Sequence, residues 1–529
     1  MHRARFDILV KTLTAAGALA LFSANASAND SLVQSIESAD YAALAQLIDD
    51  GADVNERDVD GATALHWAAY ADQLQATRIL IDAGAEPGVR SRYGVTPLYL
   101  AVVNGNTQMI ELLLESGADP FDTGPQGESM LMTAARTGIP AALDVLLEAG
   151  ANVDAREASF GQTALMLAVR EGNLEAARLL VERGADVDAR TQVGPPPEFT
   201  PPCKGTGCGS EGVGINRGGL PDRGRRDAAQ GGMTALLYAA RDGLDEMVNL
   251  LVSAGADLEL AEANGIRPLL MSLLNGNLGA ARLLVEAGAD RDADDFWGRT
   301  PLFAVVEYRN LDMNNRDQDD PEDNGIDRAP YLDFLGYLLE QGVNVDARTR
   351  EVPPSRRWLY SLGDVSWVDF TGQTAFLRAA LSGDTSAMRL LLDYGADPNL
   401  PTFAGTTPLM AAAGVNWVVA QTYTESPEAL LEAVELCLEL GADINATNSM
   451  GLSALLGAVN RGSNHIIGYL AEQGADLYVV DVEGRDAIRW AEGVFLAAVG
   501  AEQKPATIAL LEELMAADED RVALNRVDE

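Results

Sequence analysis

Catalysis needs groups that move protons or attack a bond, and few in this chain stand out. Its three histidines are His2, His66 in Leu65-His66-Trp67-Ala68, and His465 near the start of an expected helix. None belongs to a His-Glu-x-x-His zinc motif, no Gly-x-Ser-x-Gly elbow is present, and no glycine-rich loop follows a strand to cradle phosphate. The 79 acidic residues are too many for one pair to be singled out as acid and base. These residues name no reaction. The chain is expected not to be an enzyme and to need no cofactor.

Two constellations could cross-link or hold a metal. Cys203-Lys-Gly-Thr-Gly-Cys208 sets two thiols close in sequence. Outside a reducing compartment a disulfide between Cys203 and Cys208 is the natural product. Zinc would need two further ligands, and no nearby histidine supplies them; the haem spacing Cys-x-x-Cys-His is absent. Cys437, within Ala433-Val-Glu-Leu-Cys-Leu438, suits a small core residue. Between Asp312 and Asp327 acids crowd together. There Asp320, Glu322 and Asn324 alternate, and Gly325 falls at the sixth position, as at the start of a calcium loop. The twelfth position is Tyr331 rather than a bidentate Glu, so a solvated acidic loop without metal is the favoured reading.

A second set of residues suits recognition. Tyr93, Phe160 and Trp297 each directly precede a glycine, and Phe296, Phe370 and Phe403 stand two before one. Such a row would supply anchors for a partner, or its members would pack on neighbouring turns. Arg136, Arg170 and Arg241 recur in one register at the end of an expected helix. With Arg217, Arg223, Arg225 and Arg226 they could make a basic strip for a carboxylate, phosphate or acidic peptide. Ordinary surface arginines would show the same pattern.

The elements that must position these residues repeat. The signature Gly-x-[Thr/Ser]-[Pro/Ala]-Leu appears as Gly61-Ala-Thr-Ala-Leu65, Gly94-Val-Thr-Pro-Leu98, Gly405-Thr-Thr-Pro-Leu409 and Gly451-Leu-Ser-Ala-Leu455, with degenerate copies from Gly127, Gly265 and Gly484. Uninterrupted copies start 33 or 34 residues apart, which means stacked supersecondary units. In Thr96-Pro97, Thr300-Pro301 and Thr407-Pro408 an N-cap residue precedes one suited to the first helical position. Leu-x-x-Ala-Ala then predicts a short first helix. Gly172-Asn-Leu-Glu-Ala-Ala-Arg-Leu-Leu-Val-Glu-Arg-Gly184 predicts a second, closed by Gly184 at positive φ. One unit cannot bury its own apolar face, so stability must come from its neighbours.

Period and motif resemble the ankyrin repeat over nearly all of residues 31–529. The resemblance implies an all-α solenoid of helix–turn–helix units with β-hairpin loops, about eleven repeats plus an N-terminal cap. It also implies that His66 is a structural hydrogen-bonding residue, and that the hairpin tips face solvent and contact partners.

Breaks in the period divide the chain. Residues 29–57 form a capping repeat and 58–190 regular repeats. Residues 191–231 are a Gly/Pro-rich insertion with the cysteine pair. Residues 232–348 are repeats, the last enlarged by the acidic insertion, and 349–368 are a hairpin insertion containing Trp358, Tyr360 and Trp367. Residues 369–517 are repeats including a C-terminal cap, with an expansion around 417–427, and 518–529 are a polar tail. Long insertions in a compact array tend to be functional. They concentrate in the second half, where binding is expected.

Residues 1–28 have the form of a cleaved signal peptide: Arg3, Arg5 and Lys11, then an apolar Leu13–Phe22, then Ala26-Ser27-Ala28 before Asn29. A periplasmic or secreted location is therefore expected. A net charge of −41 repels nucleic acid and anionic lipid, and no later apolar run suits membrane insertion. The expected function is an exported, monomeric, non-enzymatic scaffold for a protein or peptide. The alternative is an accessory module for a small molecule or carbohydrate, working with an extracytoplasmic enzyme.

Overall fold

The computed structural model describes residues 28–194, 231–311, 326–351, 368–416, 426–494 and 503–527, with the backbone alone at 28 and 519–527. Cys203, Cys208, Arg217, Arg223, Arg225, Arg226, Asp320, Glu322, Asn324, Trp358, Tyr360, Trp367 and most of the signal segment lie outside the described residues.

Contacts gather the chain into two compact units: Met1–Ser159 with Thr163–Ala185, and Phe160–Gln162 with Asp186–Glu529. The first holds helices α1 (Ala28–Glu37), α2 (Tyr41–Asp49), α3 (Ala64–Tyr70), α4 (Leu74–Asp82), α5 (Pro97–Asn104), α6 (Thr107–Glu115), α7 (Met130–Thr137), α8 (Pro140–Glu148), α9 (Ala164–Arg170) and α10 (Leu174–Glu182). The second holds α11 (Ala235–Asp242), α12 (Asp245–Ser253), α13 (Pro268–Leu274), α14 (Leu278–Glu286), α15 (Pro301–Arg309), α16 (Ala329–Glu340), α17 (Ala375–Ser382), α18 (Thr385–Asp393), α19 (Pro408–Ala413), α20 (Pro427–Glu439), α21 (Ala454–Arg461), α22 (Asn464–Glu472), α23 (Ala487–Ala491) and α24 (Pro505–Val527). Within each unit odd-numbered helices pack on odd and even on even, so two layers of helices share one core.

The starts follow the sequence argument. Thr96, Thr300 and Thr407 accept from the backbone N of Tyr99, Phe303 and Met410 at 3.2, 3.3 and 3.3 Å, and Pro97, Pro301 and Pro408 follow at N1. Gly184 has φ +85° after α10, as expected. Small residues such as Ala68, Ala69 and Ala76 let the layers approach, and Leu65, Leu80, Leu98 and Leu113 fill the space between them. Helix α24 continues through residues 518–527, so the polar tail belongs to the last helix.

The turns between pairs carry no strand among the described residues, only the isolated bridges Thr123–Ser129 and Val193–Gly231. The expected β-hairpins are therefore tight turns. Several are closed by the side chain three before the glycine. Asp58, Glu262, Asp295, Asn448 and Asp481 each accept from the backbone N two and four residues on. Single backbone bonds then tie turn to turn: Arg92 N to Asp60 O in the first unit, and Phe296 N to Asn264 O, Phe403 N to Thr371 O and Val482 N to Met450 O in the second. The ladder stops at the Gly127 turn, where Pro125 stands in the donor position and has no N–H.

Part of the chain's acidity has structural work in this scheme. Asp188, Glu259, Asp292 and Asp346 each accept the backbone N that opens the corresponding segment of the next helix pair, at 2.8–3.0 Å.

Candidate functional site

The turn aromatics fall into two groups. Tyr93, Phe160 and Phe403 are 54%, 66% and 57% exposed. Trp297 and Phe370 are 6% and 2% exposed, so these two follow the packing alternative and are not solvent-facing anchors. Both buried rings lie beside the stems of the 349–368 insertion, whereas Phe160, whose carbonyl accepts from Gln192 N at the stem of the 191–231 insertion, stays exposed. Trp297 O accepts from the backbone N of both Arg350 and Glu351, at 2.8 and 3.2 Å, at the outgoing stem of the 349–368 insertion. Beneath it the Arg299 guanidinium lies 5.2 Å from the indole centroid, and Phe296 packs edge-on at 5.4 Å. Phe370 lies just past the returning stem beside buried Val368.

Both long turn insertions leave the turn closed. Without an insertion, Thr402 N donates to Thr406 O and Thr402 Oγ1 accepts from Thr406 N at 3.0 Å. Thr191 repeats both bonds with Met233 (2.9 Å each), and Thr349 repeats them with Gln373 (3.0 and 3.2 Å). The extra residues are thus looped out between two partners that would otherwise be four apart. The arginine just before Thr191 and before Thr349 clasps its own turn and the next. Arg190 donates to Gly232 O and Ala261 O, and Arg348 to Gly372 O and Pro401 O.

The arginines expected to line a strip end their helices. Arg136 on α7 pairs with Glu128 at 3.3 Å, and Arg170 on the adjacent α9 is exposed. Arg241, in the second unit, pairs with Asp242 at 2.8 Å and sits 5.0 Å from the Tyr238 ring centroid. The Asp242 hydrogen bond raises the Arg241 pKa against the opposing effect of burial. Neutralised in this way, Arg136 and Arg241 offer less to an anion than their sequence positions suggest.

One polar cluster was not foreseen. Buried Asp384 accepts from Arg309 through Nε and Nη2 (2.8 and 3.2 Å) and from Asn310 Nδ2 (3.0 Å), and it pairs with Arg328 Nη2 (3.0 Å). It also caps α18 by accepting from Ala387 N at 3.2 Å. Arg309 and Asn310 end α15, and Arg328 opens the approach to α16. One carboxylate therefore clamps both flanks of the acidic insertion. Burial pushes the Asp384 pKa up, but the hydrogen bonds and charges of Arg309, Arg328 and Asn310 win, and it lies below the ordinary carboxylate value. In some other repeats the same register carries asparagine. Asn173 Nδ2 donates to Ala135 O and Arg136 O, and Asn277 Nδ2 to Ala240 O and Arg241 O. Replacing that donor with an acceptor calls for the cations that Arg309 and Arg328 supply.

Sequence comparison gives the arrangement its family. A profile of three ankyrin-repeat copies matches residues 32–123, 119–191 and 236–315, and a single ankyrin-repeat profile matches 371–400. The chain belongs to the ankyrin-repeat family. The gaps between ankyrin matches fall on the insertions, at 192–235 and from 316 to 370. Similar proteins include an L-asparaginase of Dirofilaria immitis (30% identity over 34% of this chain and 29% of that protein). They also include ankyrin repeat domain-containing protein 63 of Mus musculus (28%, over 31% and 30%) and protein phosphatase 1 regulatory subunit 12A of Mus musculus (30%, over 28% and 13%). The chain spans less than a third of the length of these relatives. Solved neighbours include the ankyrin repeat domain of Bcl-3 (24% identity, 49% of this chain, all of that one, TM-score 0.38) and that of human ASB11 (22%, 49%, 98%, 0.37).

His66 is a structural ankyrin histidine here. Nδ1 accepts from Thr63 N at 3.1 Å and Nε2 reaches Val95 O at 3.1 Å, while burial lowers its pKa. His465 Nε2 reaches Pro427 O at 3.1 Å. Burial pushes the Cys437 thiol up to about 12, so it stays protonated and inert in the core. Among the described residues no group of three potential ligands could hold a metal ion, and no helix is long and apolar enough to cross a membrane.

Proposed function

We propose that this ankyrin-repeat chain is a non-enzymatic scaffold for a protein or peptide, exported to the periplasm or beyond, and that Tyr93, Phe160 and Phe403 are its contact residues. The observation that carries this reading is their exposure on turns whose closure uses the backbone and the residue that opens the turn. Large aromatics kept in water at such positions suit anchoring. The similarity to a protein named as a phosphatase regulatory subunit supports a role in assembly. The match to an asparaginase covers too little of that protein to support its activity here.

A photo-crosslinking amino acid placed at 93, 160 or 403 in the exported protein should capture a partner. The same group at Arg78 or Glu111, exposed on second-layer helices, should not. Capture from the second-layer positions alone would refute the assignment. Export rests on the form of residues 1–28, and it predicts a mature N-terminus at Asn29. Intact Met1 on cytosolic protein would contradict it. An oxidising destination would also join Cys203 to Cys208, leaving Cys437 as the one thiol in denatured, unreduced protein.

A further inference from the structure

The first-turn amides of a helix have no partner inside it. In α1 one of them is satisfied from a distance: Asn29 N donates to Glu56 Oε2 at 3.0 Å, across 27 residues. Glu56 stands in the loop between α2 and α3, and no ion pair engages it among the described residues. Its carboxylate therefore rests against the very nitrogen that signal cleavage after Ala28 would release.

We propose that Glu56 is the built-in counter-ion of the mature N-terminus. The inference rests on the export reading above. A signal peptidase hydrolyses the Ala28–Asn29 bond on the translocating, unfolded chain. Water's hydroxyl goes to the Ala28 acyl carbon, and the Asn29 nitrogen takes water's proton and, at neutral pH, a second from solvent. The neutral amide becomes an α-ammonium. At a helix N-terminus that charge opposes the helix dipole, and Glu56 offsets it at hydrogen-bonding distance. A cut elsewhere would displace the charge from its partner, so the first helix pair is fitted to one processed end.

The other charged or titratable groups on the elements around α1 are Asp30 and Glu37 on α1 itself, Asp40, Tyr41, Asp49 and Asp50 on α2 and its ends, Asp53, Arg57, Asp58 and Asp60 in the following loop, and His66 and Tyr70 on α3. Glu56 is the group placed to accept from the nitrogen. An α-amino group normally titrates at about 7.7–8.0. Pairing raises that value in the folded state. Its stabilisation is therefore complete below the ordinary value and fades as pH rises through the raised one.

The test uses the full chain exported by a bacterial host with a periplasm, alongside Glu56→Gln, which keeps an acceptor and the side chain's shape. N-terminal sequencing comes first. The reactivity of the α-amino group toward acetic anhydride is then followed across pH by mass spectrometry. At pH 7.5 the wild-type amine should react about threefold or more slowly than that of E56Q, a shift of half a pKa unit or more. The gap in melting temperature between the two should close by about pH 10. Asn29 as first residue with equal amine reactivity in both proteins would overturn the counter-ion while leaving export intact. An intact or differently cut N-terminus would overturn the export reading, and this inference with it.

Discussion

The turns at Gly94 and Gly298 hold an aromatic at the same position, on the same backbone. Gly94 N donates to Ser91 O and Gly298 N to Asp295 O, and each turn takes its neighbour's carbonyl through the residue two before the glycine. Yet Tyr93 is 54% exposed and Trp297 6%. The next turn of each differs as well. Beyond Tyr93 that turn offers Pro125, which has no N–H. Beyond Trp297 come Arg350 and Glu351, whose two amides close over its carbonyl at the foot of an insertion. Register in a repeat fixes where a side chain starts. Its neighbour decides whether that side chain is core or surface.

The contrast breaks most visibly by truncation. Trp297→Ala and Phe370→Ala should each cost ~3–5 kcal/mol of stability, as buried aromatics do, comparable to or above the ~2–5 kcal/mol for Leu302→Ala or Leu409→Ala. Tyr93→Ala should stay within about 0.5 kcal/mol of wild type. Chemical denaturation of these variants would check this. Equal losses at 93 and 297 would erase the distinction.

Next is the clamp on the acidic insertion. Asp384→Ala strands Arg309 and Arg328 in a buried site and should cost ~3–5 kcal/mol. Asp384→Asn restores the residue found at 173 and 277 and should cost less. Because the folded Asp384 pKa lies below its ordinary value, its contribution is present above about pH 3.9 and is lost as pH falls through the folded value. Acid titration of wild type against Asp384→Asn should show the two converging at low pH, and a constant difference would count against the clamp.

What was legible in the sequence was local. Gly61, Gly94 and Gly405 require positive φ within their own turns, and Thr96-Pro97 announces a helix by itself. The bonds at the Trp297 carbonyl come from amides more than 50 residues on. The Asp384 cluster joins side chains 75 residues apart in Arg309 and Asp384. The substitution of Asp for Asn after Gly383 was its visible trace, and it could be read as a signal only with the arginines in place. The arginine register at 136, 170 and 241 was real as a set of helix ends, but Arg136 pairs with Glu128 and Arg241 with Asp242.

Smaller in free energy, and closest to function, is the effect at the exposed turns. Tyr93→Ala, Phe160→Ala and Phe403→Ala should each weaken binding by ~1–3 kcal/mol if they are anchors. The most direct measurement is calorimetric titration of the partner captured at position 93 against wild type and the triple alanine variant, with unfolding followed in parallel. The expected result is affinity lower by about tenfold or more at an unchanged unfolding midpoint. Affinity that survives the triple substitution would contradict the claim that these turns are the binding surface.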